Sequence, residues 1–220
     1  FPIVLILPLV SRDSYKIMIR ILHTADWHLG QTFFGYDRTG EHEVFLNWLA
    51  EEIRQKEIDA LIIAGDVFDV SNPSAASQSM YYQFIYRVTA ENPYLQIVIV
   101  AGNHDSAARL EAPLPLLQAM RTEVRGVVRK LEGGEIDYDH LTVELKNRKG
   151  EVELLCMAVP FLIRPCKRKA IRMRREFANF MHNFCKGYGS EGRRISRFLP
   201  SVICRLQDRK LQRRIIASVP

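Results

Sequence analysis

The sequence predicts an α/β fold built on a mainly parallel sheet, and three observations predict it. Three apolar runs rich in β-branched residues recur along the chain: Ile19–His23, Asp59–Gly65 and Gln96–Gly102. Helical patterns fill the intervals between them. Each run is followed by a short polar motif: Asp26-Trp27-His28, Gly65-Asp66-Val67-Phe68-Asp69, and Gly102-Asn103-His104-Asp105. Continuous apolar strands alternating with helices suit a sheet buried on both faces.

The elements follow in order. Ile19-Arg20-Ile21-Leu22-His23 reads as a short buried strand, with His23 as a packed residue within it. Glu41 to Lys56 sets Val44, Phe45, Trp48, Leu49 and Ile53 at helical spacing, with acids and bases on the other face. Asp59 to Gly65 is the second strand. Asn72-Pro73-Ser74 turns into a helix over Ala76 to Glu91, and Gln96 to Gly102 is the third strand. Ala107 to Met120 is helical but broken by Pro113 and Pro115. Val124–Val128, Leu141–Lys146 and Val152–Val159 read as further strands, the last two joined through a hairpin turn at Lys146 to Gly150. The chain has no internal repeat.

Length and composition bound the architecture. With 220 residues, 47% apolar and 25% charged, the chain can bury one sizeable core, or one domain plus a small second one. Its four cysteines (Cys156, Cys166, Cys185, Cys204) form no CxxC pair, so thiols of a reducing compartment are expected, not a disulfide frame or a zinc site. A cytoplasmic location follows. Phe1 to Val10 reads FPIVLILPLV, ten residues with two prolines. That is too short to cross a bilayer, where about 20 residues are needed, and it lacks the basic start of a signal peptide. Met18 then opens IRILHTADWH, so residues 1–17 are expected to be an upstream extension.

Charge is unevenly spread. Residues 1–160 carry 15 Lys+Arg against 22 Asp+Glu, a balance of −7; residues 161–220 carry 16 against 3, a balance of +13. After Phe161 the strand and helix periods dissolve, leaving only a weak strand pattern at Ser201–Cys204. Arginine supplies 12 of the last 60 residues. Residues 162–220 are therefore either a disordered basic arm, which could hold nucleic acid nonspecifically, or the product of a shifted reading frame. The second is favoured, because frame errors scramble periodicity while enriching arginine.

The three motifs carry the chemistry. Ligands of open α/β sheets bind outside the carboxyl ends of the strands, where all three lie. Asp26 and His28 are two apart, and in an extended loop that spacing points both side chains the same way. They can grip one cation. Asp66 follows a glycine and can bridge two cations through its two oxygens. Asn103 offers a neutral oxygen, with His104 beside it. Singly, each motif has a plain structural explanation, since Asp and Asn also cap helices and make turns. Together, mixed carboxylate, imidazole and amide donors suit manganese, iron or zinc better than calcium. Two cations about 3.5–4 Å apart can clamp a phosphodiester and lower the pKa of a bridging water. In-line hydrolysis without a covalent nucleophile is the reaction this donor set predicts.

The order DxH, GDxxD, GNHD resembles the calcineurin-like metallophosphoesterases. The flanks HTADWHLG, GDVFD running into NPS, and GNHDS followed by RL resemble more narrowly the bacterial SbcD-type nuclease subunits. The similarity covers residues 18–161. It implies a two-sheet α/β sandwich, incomplete here at its carboxyl end. It implies two divalent cations, manganese first among them. By motif, Asp26 and His28 would hold the first metal, Asp66 would bridge, and Asn103 would hold the second. His104 would face the scissile phosphate as the catalytic group and not as a ligand. Asp69 would lie near the DNA path, and Asp105 would orient the His104 loop.

The resemblance further implies DNA as substrate and SbcC, a coiled-coil ATPase, as partner, with no membrane role. The reactions would be double-strand exonuclease and single-strand endonuclease cleavage at DNA ends and hairpins in repair, recombination and replication. The family completes its metal shells with later GH and GHxH histidines. Of the six histidines here (23, 28, 42, 104, 140, 182), none after 104 follows a glycine. Low activity of this polypeptide is therefore expected. The alternatives are a calcineurin-like phosphoesterase acting on small phosphodiesters or phosphoproteins, and a non-catalytic DNA-binding fragment.

Overall fold

A computed structural model describes residues 3–10, 17–161 and 198–199. β1 (Ile3–Val10) and β2 (Ile17–Ala25) lead into a small hairpin of β3 (Thr32–Phe33) and β4 (Tyr36–Asp37). Then come α1 (Thr39–Gln55), β5 (Ala60–Ala64), α2 (Ala75–Glu91) and β6 (Gln96–Val100). The short helices α3 (Ala107–Glu111) and α4 (Leu114–Ala119) precede β7 (Thr122–Arg125). α5 (Tyr138–Leu141), β8 (Thr142–Lys146), β9 (Val152–Met157) and β10 (Phe198–Leu199) complete the order.

The five-stranded sheet runs β1-β2-β5-β6-β7, and a second sheet runs β10-β9-β8. β2, β5, β6 and β7 are mutually parallel, as strand–helix–strand connections require. Period-two alternation explains why the central strands are apolar throughout. On β5 and β6, Leu61, Ile63, Ile97 and Ile99 face a helical layer formed with Leu49 and Ile53 of α1 and Ile85 and Val88 of α2. Their neighbours Ala60, Ile62, Val98 and Val100 face the second sheet, against Val143, Leu145, Leu154 and Cys156. The result is helices, parallel sheet and second sheet in three layers: the expected two-sheet α/β sandwich.

Several elements differ from their expected form. The α1 core stripe is His42, Leu46, Leu49, Ala50 and Ile53, whereas Val44 and Trp48 are 69% and 45% exposed. The helix turns about 100° per residue, and the stripe that meets the sheet is centred between Leu49 and Ala50, which places Val44 and Trp48 toward the opposite, solvent-facing side. β7 begins two residues earlier than expected and ends at Arg125, whose backbone carbonyl accepts from Ala101. Pro113 splits α3 from α4 as its missing N–H predicts. Within the expected extension, Ile3–Val10 pairs antiparallel with β2 from Ile3↔Ala25 to Val10↔Ile17, forming the outer edge of the large sheet. The tail assignment for 162–220, including Ser201–Cys204, lies outside the described residues except for β10, which pairs parallel with β9. No described helix is long and apolar enough to cross a membrane.

At the amino ends of the strands, Arg148 reaches from the β8–β9 turn to Asp59 (2.9 Å), which also accepts from the Arg20 N–H (2.8 Å). This ties the two sheets together at the end opposite the three motifs.

His42 is buried with its Nδ1 lacking a hydrogen-bond partner. Burial, with Arg38 nearby, holds its imidazole below the usual histidine range; Glu41, Asp37 and Asp69 oppose this only in part. The unfolded chain takes up that proton near pH 6.5, the folded chain only at lower pH. Stability is therefore full above about pH 6.5 and falls on acidification through the window below it. Thermal melting between pH 7.5 and 5.5 should show this loss, and His42→Leu should flatten it. An unchanged slope in the variant would exclude His42 as the source.

Candidate metal centre

The three motifs meet at the carboxyl ends of β2, β5 and β6. Backbone bonds zip the first loop to the second: Asp26 N–H to Gly65 O (3.1 Å), His28 N–H to Asp66 O (2.9 Å) and Leu29 N–H to Val67 O (2.9 Å). Trp27 points the other way. It is buried, donates to Thr24 Oγ1 (3.0 Å), and packs edge-on against Phe84 at 5.3 Å and Phe45 at 5.9 Å. Its indole anchors the loop in the helical layer while Asp26 and His28 turn outward. The spacing argument assumed extended backbone here. Instead Asp26, His28 and Asp66 all adopt left-handed φ values of 61°, 48° and 51°. Such conformations cost energy for non-glycine residues and cluster at functional sites.

The second and third loops touch through glycine. A Cβ on Gly65, itself at φ +89°, would lie 2.9 Å from Gly102 Cα, and one on Gly102 would lie 2.2 Å from Asp66 N and Oδ1. Only hydrogen fits on either side. Asp105 secures the contact: its carboxylate accepts from the N–H groups of Val67 (3.2 Å), Phe68 (2.9 Å) and Gly102 (2.8 Å). Burial pushes its carboxyl above the ordinary range, those three bonds pull it back, and the charge of Asp66 adds to the rise. The His104 N–H in turn donates to Asp66 Oδ1 (3.0 Å).

Within this frame the donors converge. One ligand atom each from Asp26, His28 and Asp66 lie within 4.8 Å of one another. His28 Nε2 stands 4.0 Å from both Asp26 Oδ1 and Asp66 Oδ2. Donors held about 2.0–2.2 Å from one ion stand roughly 3–4 Å apart, so a single divalent cation fits. A second group of donors, His28, Asp69 and His104, meets the same limit. Asp69 Oδ1 is 3.2 Å from His28 Nδ1, close enough to pair though not aligned as a regular hydrogen bond. The His104 ring stands edge-on to that of His28 at 4.9 Å. Its Nδ1 lies 2.7 Å from the Asp69 carbonyl. A carbonyl only accepts, so Nδ1 carries the proton and Nε2 is turned over to the site.

The pattern of the calcineurin-like phosphoesterase family matches residues 19–158. The chain belongs to the calcineurin-like phosphoesterases. It is 44% identical over 144 residues to the SbcD component of the SbcCD nuclease from Rhodobacter capsulatus, a match covering 66% of this chain and 35% of that one. It is 42% identical over 106 residues to the corresponding SbcCD nuclease component from Escherichia coli, covering 48% of this chain and 26% of that one. The chain thus spans about a third or less of the length of these curated relatives. A solved nuclease from Pseudomonas putida, named MPE, is 18% identical with a TM-score of 0.33, over 58% of this chain and 62% of that one.

Membership in this family makes the chain a phosphoesterase by descent and accounts for a donor set suited to divalent metal. The structure brings Asp26, His28, Asp66 and His104 together. Asn103 is exposed in the loop between Gly102 and His104. Asp69, expected near the substrate path, lies against His28, a contact no spacing rule foretold because it joins residues 41 positions apart in sequence. His140 sits at the end of α5, its N–H bound by Asp137 (2.9 Å), and belongs to neither donor group. His182 lies outside the described residues.

Gly102→Ala is expected to destabilise the fold by about 2–4 kcal/mol in urea denaturation, since the new Cβ collides with backbone. Gly133→Ala, where a Cβ meets nothing within 4 Å, should stay within about 0.5 kcal/mol. Equal effects would exclude the glycine contact as the cause. Asp105→Ala strips three N–H groups of their acceptor and should cost about 2–4 kcal/mol by the same measurement.

Proposed function

We propose that residues 18–161 form the amino-terminal part of a metal-dependent nuclease domain of the SbcD kind. It would hydrolyse phosphodiesters at DNA ends and hairpins in the cytoplasm, working with an SbcC-type coiled-coil ATPase. The observation that carries this is the convergence of Asp26 and His28 after β2 with Asp66 after β5, all three on left-handed backbone. The kinship with named nuclease components supports DNA over small diesters.

Asp26, His28 and Asp66 would hold one cation, with Asp66 and Asn103 serving a second. Manganese is the proposed ion. Two such ions supply Lewis acidity, a lowered water pKa and charge for the departing oxygen. The chain's own residues do the rest. Asp69 stands against the Nδ1 edge of the His28 ring at 3.2 Å. His104 would present Nε2 toward a scissile phosphate; with Nδ1–H held on the Asp69 carbonyl, only the doubly protonated ring can donate from Nε2, and in that form it would give a hydrogen bond or a proton to the leaving oxygen. The Asp69 carbonyl at Nδ1 keeps that ring from rotating.

Without the later GH and GHxH histidines, the donor shell of this polypeptide is a half-shell. Manganese binding, followed by electron paramagnetic resonance of the free ion, should be weak in the purified 220-residue chain. It should weaken by a further ~10–100-fold in Asp66→Ala. Manganese-dependent cleavage of a hairpin should be slow and should disappear in His104→Ala. Rapid turnover that is lost in His104→Ala would overturn the half-shell. Cleavage of a chromogenic diester without cleavage of DNA would overturn the choice of substrate.

A further inference from the structure

The β3–β4 hairpin stands beside the metal centre and buries nothing. Thr32 to Asp37 are all exposed, with Phe33, Phe34 and Tyr36 at 62%, 87% and 77%. Large aromatics carry much apolar area, and leaving three bare on one short hairpin is costly in water. The backbone makes it more so. The two-residue loop is Phe34-Gly35, with both residues at positive φ (48° and 82°). A tight two-residue turn that pairs Phe33 with Tyr36 asks for that geometry, and Asn-Gly or Gly-Gly would meet it more cheaply than a phenylalanine. Phe33 and Phe34 stand edge to face at 4.6 Å, forming a double-ring tip.

The base of the hairpin, in contrast, is pinned. Gln31 precedes β3 and Arg38 follows β4, and the Arg38 guanidinium donates to Gln31 Oε1 across the hairpin's foot. Gln31 Nε2 then donates to Asp69 Oδ1 (3.2 Å), the same oxygen that lies 3.2 Å from His28 Nδ1. Arg38 is braced by Glu41 (2.7 Å), and Asp37 accepts from both the N–H and the hydroxyl of Thr39 (2.8 and 2.6 Å). The foot of the bare aromatic tip is thus tied by side-chain hydrogen bonds to Asp69, whose carboxylate lies against His28.

From this we infer that the Phe33-Phe34-Tyr36 hairpin is a stacking platform for an unpaired base of the strand whose phosphodiester lies at the metal centre. This rests on the nucleic-acid reading of that centre. Aromatic faces accept any base, whereas a paired base within a duplex has its faces already stacked. The hairpin would select frayed ends, overhangs and loops over continuous duplex. Its surroundings favour bases over backbone: the only charges between Gln31 and Arg38 are Asp37 and the ion-paired Arg38 itself, so the tip has no free cation for phosphate.

The test compares the full chain with Phe33→Thr/Phe34→Asn, a pair that removes both rings and relieves the left-handed turn. Binding is read by fluorescence anisotropy in EDTA, so that cleavage and metal affinity do not enter. The probes are a duplex with a short single-stranded overhang and the same duplex with abasic sites in the overhang. The variant should bind the ordinary overhang ~10-fold more weakly while matching the parent on the abasic one. Phe34→Trp should retain or exceed parental affinity. Equal weakening on both probes, or no weakening on either, overturns the platform. A concentration-dependent loss of self-association in the variant, with DNA binding untouched, would instead assign the hairpin to a second copy of the chain and overturns it equally. Failure of the parent to bind any oligonucleotide, both in EDTA and with calcium added in place of manganese, would defeat the nucleic-acid reading itself and the inference with it.

Discussion

The site depends on one steric fact: the loops after β5 and β6 approach until glycine faces glycine. Gly65 and Gly102 leave less than 3 Å for any added Cβ, and that closeness lets one Asp105 carboxylate serve N–H groups of both loops. It also places the His104 N–H on Asp66. If the loops stood apart by the width of a methyl group, the two bonds from Val67 and Phe68 to Asp105 and the one from His104 to Asp66 would lengthen together. The loop after β2 joins the same frame through main-chain bonds to Gly65, Asp66 and Val67. The metal centre is therefore a property of backbone contacts first and of side chains second.

That frame stores strain. Among the described residues, three of the six non-glycine residues with positive φ are Asp26, His28 and Asp66, each at a cost of order 1–3 kcal/mol. The cost is offset by burial nearby: Trp27 between Phe45 and Phe84, and Val67 and Phe68 within the helical layer. Neighbours pull inward while the donors turn outward. A chain that has met this cost in folding need not meet it again when a cation arrives, which is what preorganisation means for a metal site.

Much of this was legible in sequence, for identifiable reasons. The strands at Asp59–Gly65 and Gln96–Gly102 were visible because double-sided burial leaves no polar alternation, and the motifs marked their carboxyl ends. Asp105 was legible as a positioning residue from its place beside His104. What escaped notice involved either local backbone sign or long-range pairing. The left-handed bends at Asp26 and His28 are invisible in an i, i+2 spacing. The Asp69–His28 and Gln31–Asp69 contacts join separate loops. The β3–β4 hairpin escaped because its turn is Phe34-Gly35, which lacks the Asn or Asp that announces a tight turn. Val44 and Trp48 fit the helical period yet face outward, because a period fixes a stripe's spacing and not which side of the helix the sheet will meet.

The same hairpin bears on how an acidic surface could take a polyanion. Residues 1–160 carry a balance of −7, so counterion release from phosphates, the usual source of affinity for nucleic acid, is weak over this region. Two attractions remain that do not need net positive charge. Divalent cations, if held by Asp26, His28 and Asp66 as proposed, would reverse the local sign at one point, where a phosphate would sit for reaction. Exposed rings at Phe33, Phe34 and Tyr36 bind bases through their faces, which are uncharged. Both are local, and the Gln31–Asp69–His28 contacts tie the hairpin's foot to the site. Residues 1–160, with one cationic point and one aromatic tip, would repel continuous duplex over the rest of that acidic surface. That combination would discriminate for a strand that can offer a phosphate and a free base together.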